Sequence, residues 1–525
     1  MPRIDIVVAL LVVSIPLVAL ARTIKVGYPV LLVLAGLVLC FIPGLPQVEI
    51  HPELVFMVFL PPLLYWQAVT APTGAMRANL DSIGSLAIGL VLVTAFTVAL
   101  IVKAIVPEMA WPAAIALGAI VAPTDDVAFW SVAERLRLPR RVAALIGGEA
   151  LLNDASSLIL YGVAVTAVVS GTFSPGSTGV RLLWIVPSSI AIGLLAGYVV
   201  SLAWRHLRDP QLQTMISVIA PYLAYLPAAQ IGLSGVLAVV TAGVWVNRTS
   251  PRFAMPEARQ RTAGFWETTI LLMNAIMFVL IGFHLNDTLP TLGRYPTAVI
   301  VGAIVAVNAA VIALRVCWIF AGGFIADRLR RVARGKGQHP WKYRAIASWA
   351  GLRGGVSLAT ALALPRTVSG GAPFAHRDLI ILISFSVILV TLVGQGLSLP
   401  WVVSRIGSTD DVAEEDEQRS ALAAMRDAAL RRIDELERDG RIVADDARGL
   451  RRYVNRRKPS AEGGRNHEAV RELVKVERDT LIEARERGLI DNTVLRRMQA
   501  SLDMEELQLD HHAPLPEEGR GARTP

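Results

Sequence analysis

The first 404 residues carry only 44 charged side chains, whereas the last 121 carry 50. A soluble domain usually has about a quarter of its residues charged. The first part is too apolar to be soluble, and the last too charged to enter a bilayer. A chain divided in this way folds as a polytopic membrane domain, residues 1–404, followed by a polar tail, residues 405–525. The net charge of +8 divides into +12 for the membrane part and −4 for the tail. Basic loops between spans account for the first value, so the lipid bilayer is the expected partner and nucleic acid is not. Cys40 and Cys317 both sit in apolar runs, which excludes a disulfide scaffold and a cysteine-based metal site.

A helix that crosses a bilayer needs about 20 mostly apolar residues. Thirteen stretches qualify, at roughly 4–21, 25–43, 53–68, 83–105, 111–130, 142–169, 182–204, 212–226, 230–247, 265–285, 296–324, 342–364 and 378–404. The eighth and ninth are short and interrupted by Pro and Gly, which leaves twelve as the other count. Loop charges favour thirteen. Loops after odd-numbered stretches hold 19 Lys and Arg, against 5 in the N-terminus and the even loops. This asymmetry predicts the N-terminus outside and the tail in the cytoplasm. In the tail, helical periodicity is expected over 421–439 and 468–504, with a linker over 458–464.

Most charges in this part lie in loops or near span ends, but a few fall well inside the predicted spans: Asp125, Asp126, Glu149, Asp154, Arg315 and Arg353. Each costs at least about 2.5 kcal/mol at a helix centre, and such residues face the protein interior and mark ion or proton pathways. Four acids and two arginines also permit buried ion pairs that only set helix packing. In the fifth stretch, Pro123-Thr124-Asp125-Asp126 breaks the helix, because Pro123 has no N–H to donate. Freed carbonyls with the oxygens of Thr124 and Asp125 would suit a small hard cation. In the sixth, Glu149 and Asn153 lie one turn apart on one face, and Asp154 turns toward a different neighbour. Asp154 is therefore expected to face a cavity while Glu149 turns inward to an arginine. In the twelfth, Gly351-Leu352-Arg353-Gly354-Gly355 weakens the helix and allows close backbone approach. Two interrupted spans at matching places in two inverted repeats are a sequence pointer to a transporter site.

These segments carry a resemblance. Phe59-Leu60-Pro61-Pro62-Leu63-Leu64-Tyr65, Pro123-Thr124-Asp125, Gly148-Glu149-Ala150-Leu151-Leu152-Asn153-Asp154, Phe278-Val279-Leu280-Ile281-Gly282 and Gly351-Leu352-Arg353-Gly354 occur in that order. Together they are similar to the bacterial NhaP/NHE-type sodium–proton antiporters, over essentially all of residues 1–404. The resemblance implies an all-α fold of about thirteen transmembrane helices in inverted repeats, a homodimer, and no cofactor beyond the transported Na+ (or Li+ or K+) and H+. It implies that Asp154 binds the ion, that Thr124 and Asp125 assist, and that Na+ sits at Asp154, Asp125 and Thr124. Glu149 and Arg353 match a structural ion pair, and Arg315 matches a basic residue of the same network. An Asn-Asp pair, here Asn153-Asp154, goes with electroneutral exchange in that family.

Two positions depart from the family pattern. Asp126 stands where the family usually has Pro, and Ala150 where it usually has Ser or Thr. Asp126 would then supply a replacement oxygen for the one missing at Ala150. The function implied is one-for-one exchange of Na+ for H+ across the plasma membrane, for pH and sodium homeostasis, by a transporter and not an enzyme. A K+-selective antiporter is the alternative. An intramembrane aspartyl protease using Asp125 and Asp154 is a remote one, since the Gly-x-Gly-Asp context is absent and Arg353 has no role in it. A channel would need a carbonyl-rich filter, which the sequence lacks.

Overall fold

The computed structural model describes residues 4–24, 26–40, 55–133, 136, 138, 140–171, 175–283, 293, 295–334, 341–406, 412–456 and 467–511. Among them the regular structure is helical, with one isolated bridge between Thr367 and Pro373. The linker expected at 458–464 lies outside the described residues.

The membrane part runs through fifteen helices used below: α1 Ile4–Ile24, α2 Tyr28–Cys40, α3 Leu60–Thr70, α4 Leu80–Ile105, α5 Trp111–Val121, α6 Asp126–Ala133, α7 Arg140–Ser170, α8 Pro175–His206, α9 Pro210–Gln230, α10 Gly235–Phe253, α11 Pro256–Phe283, α12 Thr297–Arg334, α13 Trp341–Trp349, α14 Gly355–Leu362 and α15 Arg377–Ile406. Each of the thirteen apolar stretches carries helix. Among the described residues, eight helical segments are long and apolar enough to cross a bilayer, the α5–α6 pair counting as one, and parts of α1 and α2 are shorter apolar helices. The remaining three stretches correspond to α3, α10 and the broken α13–α14 pair. Helix flanks carry exposed large apolar residues such as Leu183 and Trp184 of α8 and Val305 of α12. In a soluble protein such patches would drive association, whereas hydrocarbon solvates them without cost.

Two compact units are present. The first comprises residues 1–202, 216–248 and 264–410. Its core packs Leu117, Ile120, Phe129, Phe278, Ile380 and Ile383, all fully buried. Close approach in this core depends on small residues. A Cβ on Gly118 of α5 would lie 2.2 Å from the Ala95 carbonyl oxygen of α4, so only glycine lets these helices touch there. Ser85–Leu90 in α4 and Val390–Gln395 in α15 are wound as π-helix. A π turn breaks the regular carbonyl ladder and often marks a functional position. Here the carbonyl of Ala87 accepts from the Ser156 hydroxyl of α7, and Thr391 reaches the broken α13–α14 segment.

The second unit gathers residues 203–215, 249–263 and 411–525. Its tail forms four helices, α16 Val412–Arg438, α17 Ala444–Arg456, α18 His467–Glu486 and α19 Asn492–His511. Ile433, Leu436, Leu450 and Leu473 close one core cluster, and Met425, Leu481, Leu495 and Leu502 another. The sequence suggested two helical stretches. The stretch 468–504 divides because Gly488, at φ +73°, takes a left-handed turn that ends α18. α17 escaped notice because its charges obscure a narrow apolar stripe. Asp503 of α19 is buried and paired with Arg259 and Arg478, all within this unit.

Candidate functional site

The two broken segments cross in the middle of the first unit. α5 stops at Val121, and residues 122–125 are not helical before α6 begins at Asp126. α13 stops at Trp349, and residues 351–354 are likewise non-helical before α14 begins at Gly355. The Asp125 N–H donates to the Leu352 carbonyl at 2.8 Å. The Asp125 carboxylate accepts from the Gly355 N–H at 2.8 Å and from the Ala128 N–H at 3.0 Å. It thus fills positions at the starts of α14 and α6, where unsatisfied N–H groups favour an anion. A Cβ on Gly354 would fall 1.8 Å from Asp125 Oδ2, so the contact requires glycine.

Arg353, 2% exposed, closes the other end of the crossing. Its guanidinium donates to the carbonyls of Val121 (3.1 Å), Ala122 (3.3 Å) and Gly351. Its own N–H donates to Thr391 Oγ1 at 3.2 Å. A cation on the last carbonyls of α5 replaces the hydrogen bonds the break removes and meets the negative end of the helix dipole. Among the described residues Arg353 makes no ion pair.

The ion pair is between Glu149 and Arg315, each 1% exposed. Arg315 Nη2 lies 2.9 Å from Glu149 Oε2, and Nη1 meets Oε1. Arg315 also donates to the Ala347 carbonyl through Nε (3.2 Å) and Nη2 (3.0 Å). This corrects the direct pairing of Glu149 with Arg353. The reason is geometric: the three carbonyls of the crossing occupy Arg353, while Arg315 of α12 faces α7 directly. Thr124 Oγ1 donates to Glu149 Oε1 at 3.4 Å, and Asn153 Nδ2 donates to Thr124 Oγ1 at 2.9 Å. Asn153 Oδ1 is buried without a partner among the described residues.

Asp154 stands apart from that network. It is 3% exposed, and among the described residues its carboxylate receives no hydrogen bond or ion pair. It lines a small cavity with Asp125, Val127, Gly355 and Val356, faced by Leu63 and Gln67 of α3 and Asn274 of α11. The space suits a particle about the size of one water. Of the expected site residues, Asp154 and Asp125 line the cavity. Thr124 and Asn153 join the Glu149 pair instead, and Asp126 accepts a hydrogen bond from Gln67. Gln67 and Asn274 carry no formal charge, so neither stands out in the sequence as the buried acids and arginines do. A neutral amide inside the apolar run 53–68 was the available signal.

α3 is held firmly against its neighbours. Trp66 stacks on the buried Trp266 of α11 at 5.9 Å between centroids. Asn247 of α10 donates to the carbonyls of Ala68 (3.0 Å) and Ala71 (2.9 Å) at the end of α3.

A membrane-embedded bundle with two crossed broken helices and a lone buried carboxylate beside them has the make-up of a secondary transporter of ions. Residues 7–405 match the family described as sodium/hydrogen exchanger, transmembrane. The chain belongs to the sodium/hydrogen exchanger family. It is 33% identical to an uncharacterized Na(+)/H(+) exchanger of Mycobacterium tuberculosis, covering 96% of both chains. It is 28% identical to the Na(+)/H(+) antiporter ApNhaP of Aphanothece halophytica, covering 91% of this chain and 92% of the relative. The fold resembles the sodium proton antiporter MjNhaP1 of Methanocaldococcus jannaschii, with a TM-score of 0.62 at 20% identity over 77% of this chain and 99% of that one. The protein is thus a multi-pass membrane antiporter of monovalent cations and protons, and a transporter, not an enzyme. The intramembrane protease alternative falls with that assignment.

Proposed function

We propose that the chain exchanges one Na+ for one H+ at Asp154, electroneutrally, across the plasma membrane, in the service of pH and sodium homeostasis. The observation that carries this reading is the buried Asp154 carboxylate, which has no counter-charge among the described residues. An isolated carboxylate in a low-dielectric site is costly unless something neutralises it. A proton does so, and so does a bare monovalent cation, but the two compete for the same oxygens. Glu149 is neutralised by Arg315 and Asp125 is held by two backbone N–H groups, so neither competes with Asp154 for this role. One group serving both cargoes gives one-for-one exchange. Asp125 is the second oxygen donor, and Thr124, Asn153, Glu149, Arg315 and Arg353 hold the crossing and α7 in place around it.

The protein works as a homodimer, with its N-terminus outside and its tail in the cytoplasm. The 19-to-5 asymmetry of loop Lys and Arg supports that orientation. Residues 1–404 are the exchange domain and 405–525 the cytoplasmic helical tail. The test is a proteoliposome assay in which Na+ is added against an acid interior and proton movement is followed by a pH dye. Wild type should respond with no dependence on membrane potential, and Asp154→Asn should give none. A potential-dependent rate would overturn the stoichiometry, and a fully active Asp154→Asn the site.

A second reading concerns the cation. A Bacillus pumilus relative, 29% identical over 71% of this chain and 57% of its own length, is named a sodium, potassium, lithium and rubidium/H(+) antiporter. Exchange of K+ at the same site is the corresponding alternative, and the same assay run with K+ decides it.

A further inference from the structure

Gln67 of α3 lines the same cavity as Asp154. Its Nε2 donates to Asp126 Oδ1 at the start of α6. Its Oε1 is buried and, among the described residues, has no hydrogen-bond partner. A primary amide carries its donor and its acceptor on opposite corners of one plane. The donor corner is the one that meets Asp126, so the acceptor corner faces away from it. The corner left over is a carbonyl oxygen, buried in a residue that lines the cavity. An unmet buried acceptor is unfavourable until a donor or a cation reaches it. Carbonyl oxygens are the ligands hard cations take up in place of water.

We propose that Gln67 is a specificity-determining ligand of the exchange site, its Oε1 completing the cation's oxygen shell, with Asp126 as the positioning residue that holds the amide in that orientation. The proposal rests on Asp154 being the exchange carboxylate. It also assigns Asp126 a place distinct from a direct ligand: Asp126 is joined to the site through Gln67. A neutral oxygen has a further consequence. It favours the cation over the proton without adding charge, so it tunes apparent cation affinity and leaves the one-for-one exchange intact. Asn274, also in the cavity wall, leaves its Nδ2 donor corner unpartnered, which suits it less to a cation.

The experiment measures apparent KM for Li+, Na+ and K+ in proteoliposomes for wild type, Gln67→Leu, Gln67→Asn, Asp126→Asn and the Gln67→Leu/Asp126→Asn double variant. Asp154→Asn runs alongside. Gln67→Leu should raise the KM for Na+ roughly tenfold, the size of one well-placed interaction of about 1.4 kcal/mol, and change the order of preference among the three ions. High cation concentration should overcome the defect. Asp126→Asn should raise the same KM by a smaller factor, and the double variant should match Gln67→Leu alone, because the Asp126 effect passes through Gln67. A general packing defect would lower the maximal rate for all three ions equally and would not reorder them. If Gln67→Leu does not fold, Gln67→Asn, which withdraws the oxygen by one methylene, carries the same expectation. Unchanged KM values for all three ions in a variant that folds would overturn the proposal. An active Asp154→Asn would instead overturn the reading of the site on which it stands.

Discussion

Glu149 of α7 meets Arg315 of α12 through both carboxylate oxygens, while Arg353, the other buried arginine, bonds only to carbonyl oxygens and a threonine hydroxyl. The two guanidinium groups therefore do different work. Arg315 neutralises a charge inside the membrane, whereas Arg353 repairs the backbone where two helices break.

Glu149→Ala and Arg315→Ala should each reduce folded yield more than Asp154→Asn does. Removing one partner strands the other charge, which costs about 3–5 kcal/mol for a buried pair. The double alanine variant should recover part of the loss. Yield by fluorescence-detected size exclusion measures this, and simple addition of the two losses would contradict the pairing.

Arg353→Ala should lower the melting temperature in detergent even though no ion pair is lost. It leaves the carbonyls of Val121, Ala122 and Gly351 without their donor, at about 1–3 kcal/mol for each group left unsatisfied. Arg353→Lys should recover only part of this, because one ammonium cannot reach three acceptors in the guanidinium's plane. A melting curve identical to wild type would show that the crossing does not depend on Arg353.

Gly354→Ala should abolish transport more completely than it lowers stability. The new methyl group would occupy the position of Asp125 Oδ2 and displace the carboxylate from the Gly355 N–H. Transport at the wild-type rate in the purified variant would show that Asp125 is free to move.

Asp503→Ala should loosen the second unit. Asp503 is 2% exposed, with Arg259 Nε and Arg478 Nη2 each 3.0 Å from its oxygens. Its removal leaves Arg259 without its carboxylate and Arg478 with Glu506 alone, for an expected loss of about 3–5 kcal/mol. Limited trypsin digestion should cut the tail at least several times faster than in wild type, and an unchanged digestion rate would refute the role.

Truncation after Arg405 should leave a membrane domain that still exchanges cations. The crossing, the Glu149–Arg315 pair and every residue lining the cavity precede that point. Transport in proteoliposomes at equal protein density is the readout, and a correctly inserted but inactive product would make the tail essential.

Much of this was legible in the residues. Pro123 and the glycines around Arg353 marked both helix breaks. Helical spacing turned Glu149 and Asp154 to different neighbours, and the cavity lies on the Asp154 side. The partner of Glu149 was not legible, because one sequence does not say which arginine on another helix lies nearest. Gln67 was hidden for a different reason. An uncharged amide in an apolar run gives no energetic alarm of the kind a charge does, and its significance arises only when α3 sets it beside Asp126 and in the cavity that Asp154 lines. The break at Gly488 was missed because helical periodicity continues on both sides of it.

The isolation of Asp154 also bears on what the protein does when idle. With a proton or a cation aboard, the charge of the Asp154 carboxylate is neutralised. Empty, it holds a bare negative charge in a low-dielectric interior, and moving that charge toward the other side of the membrane is the one step with nothing to offset it. The unloaded carrier is therefore the form least able to turn round. Slippage, in which one gradient runs down without driving the other, is suppressed by the absence of a permanent positive neighbour, and a lysine or arginine placed beside Asp154 would open that leak.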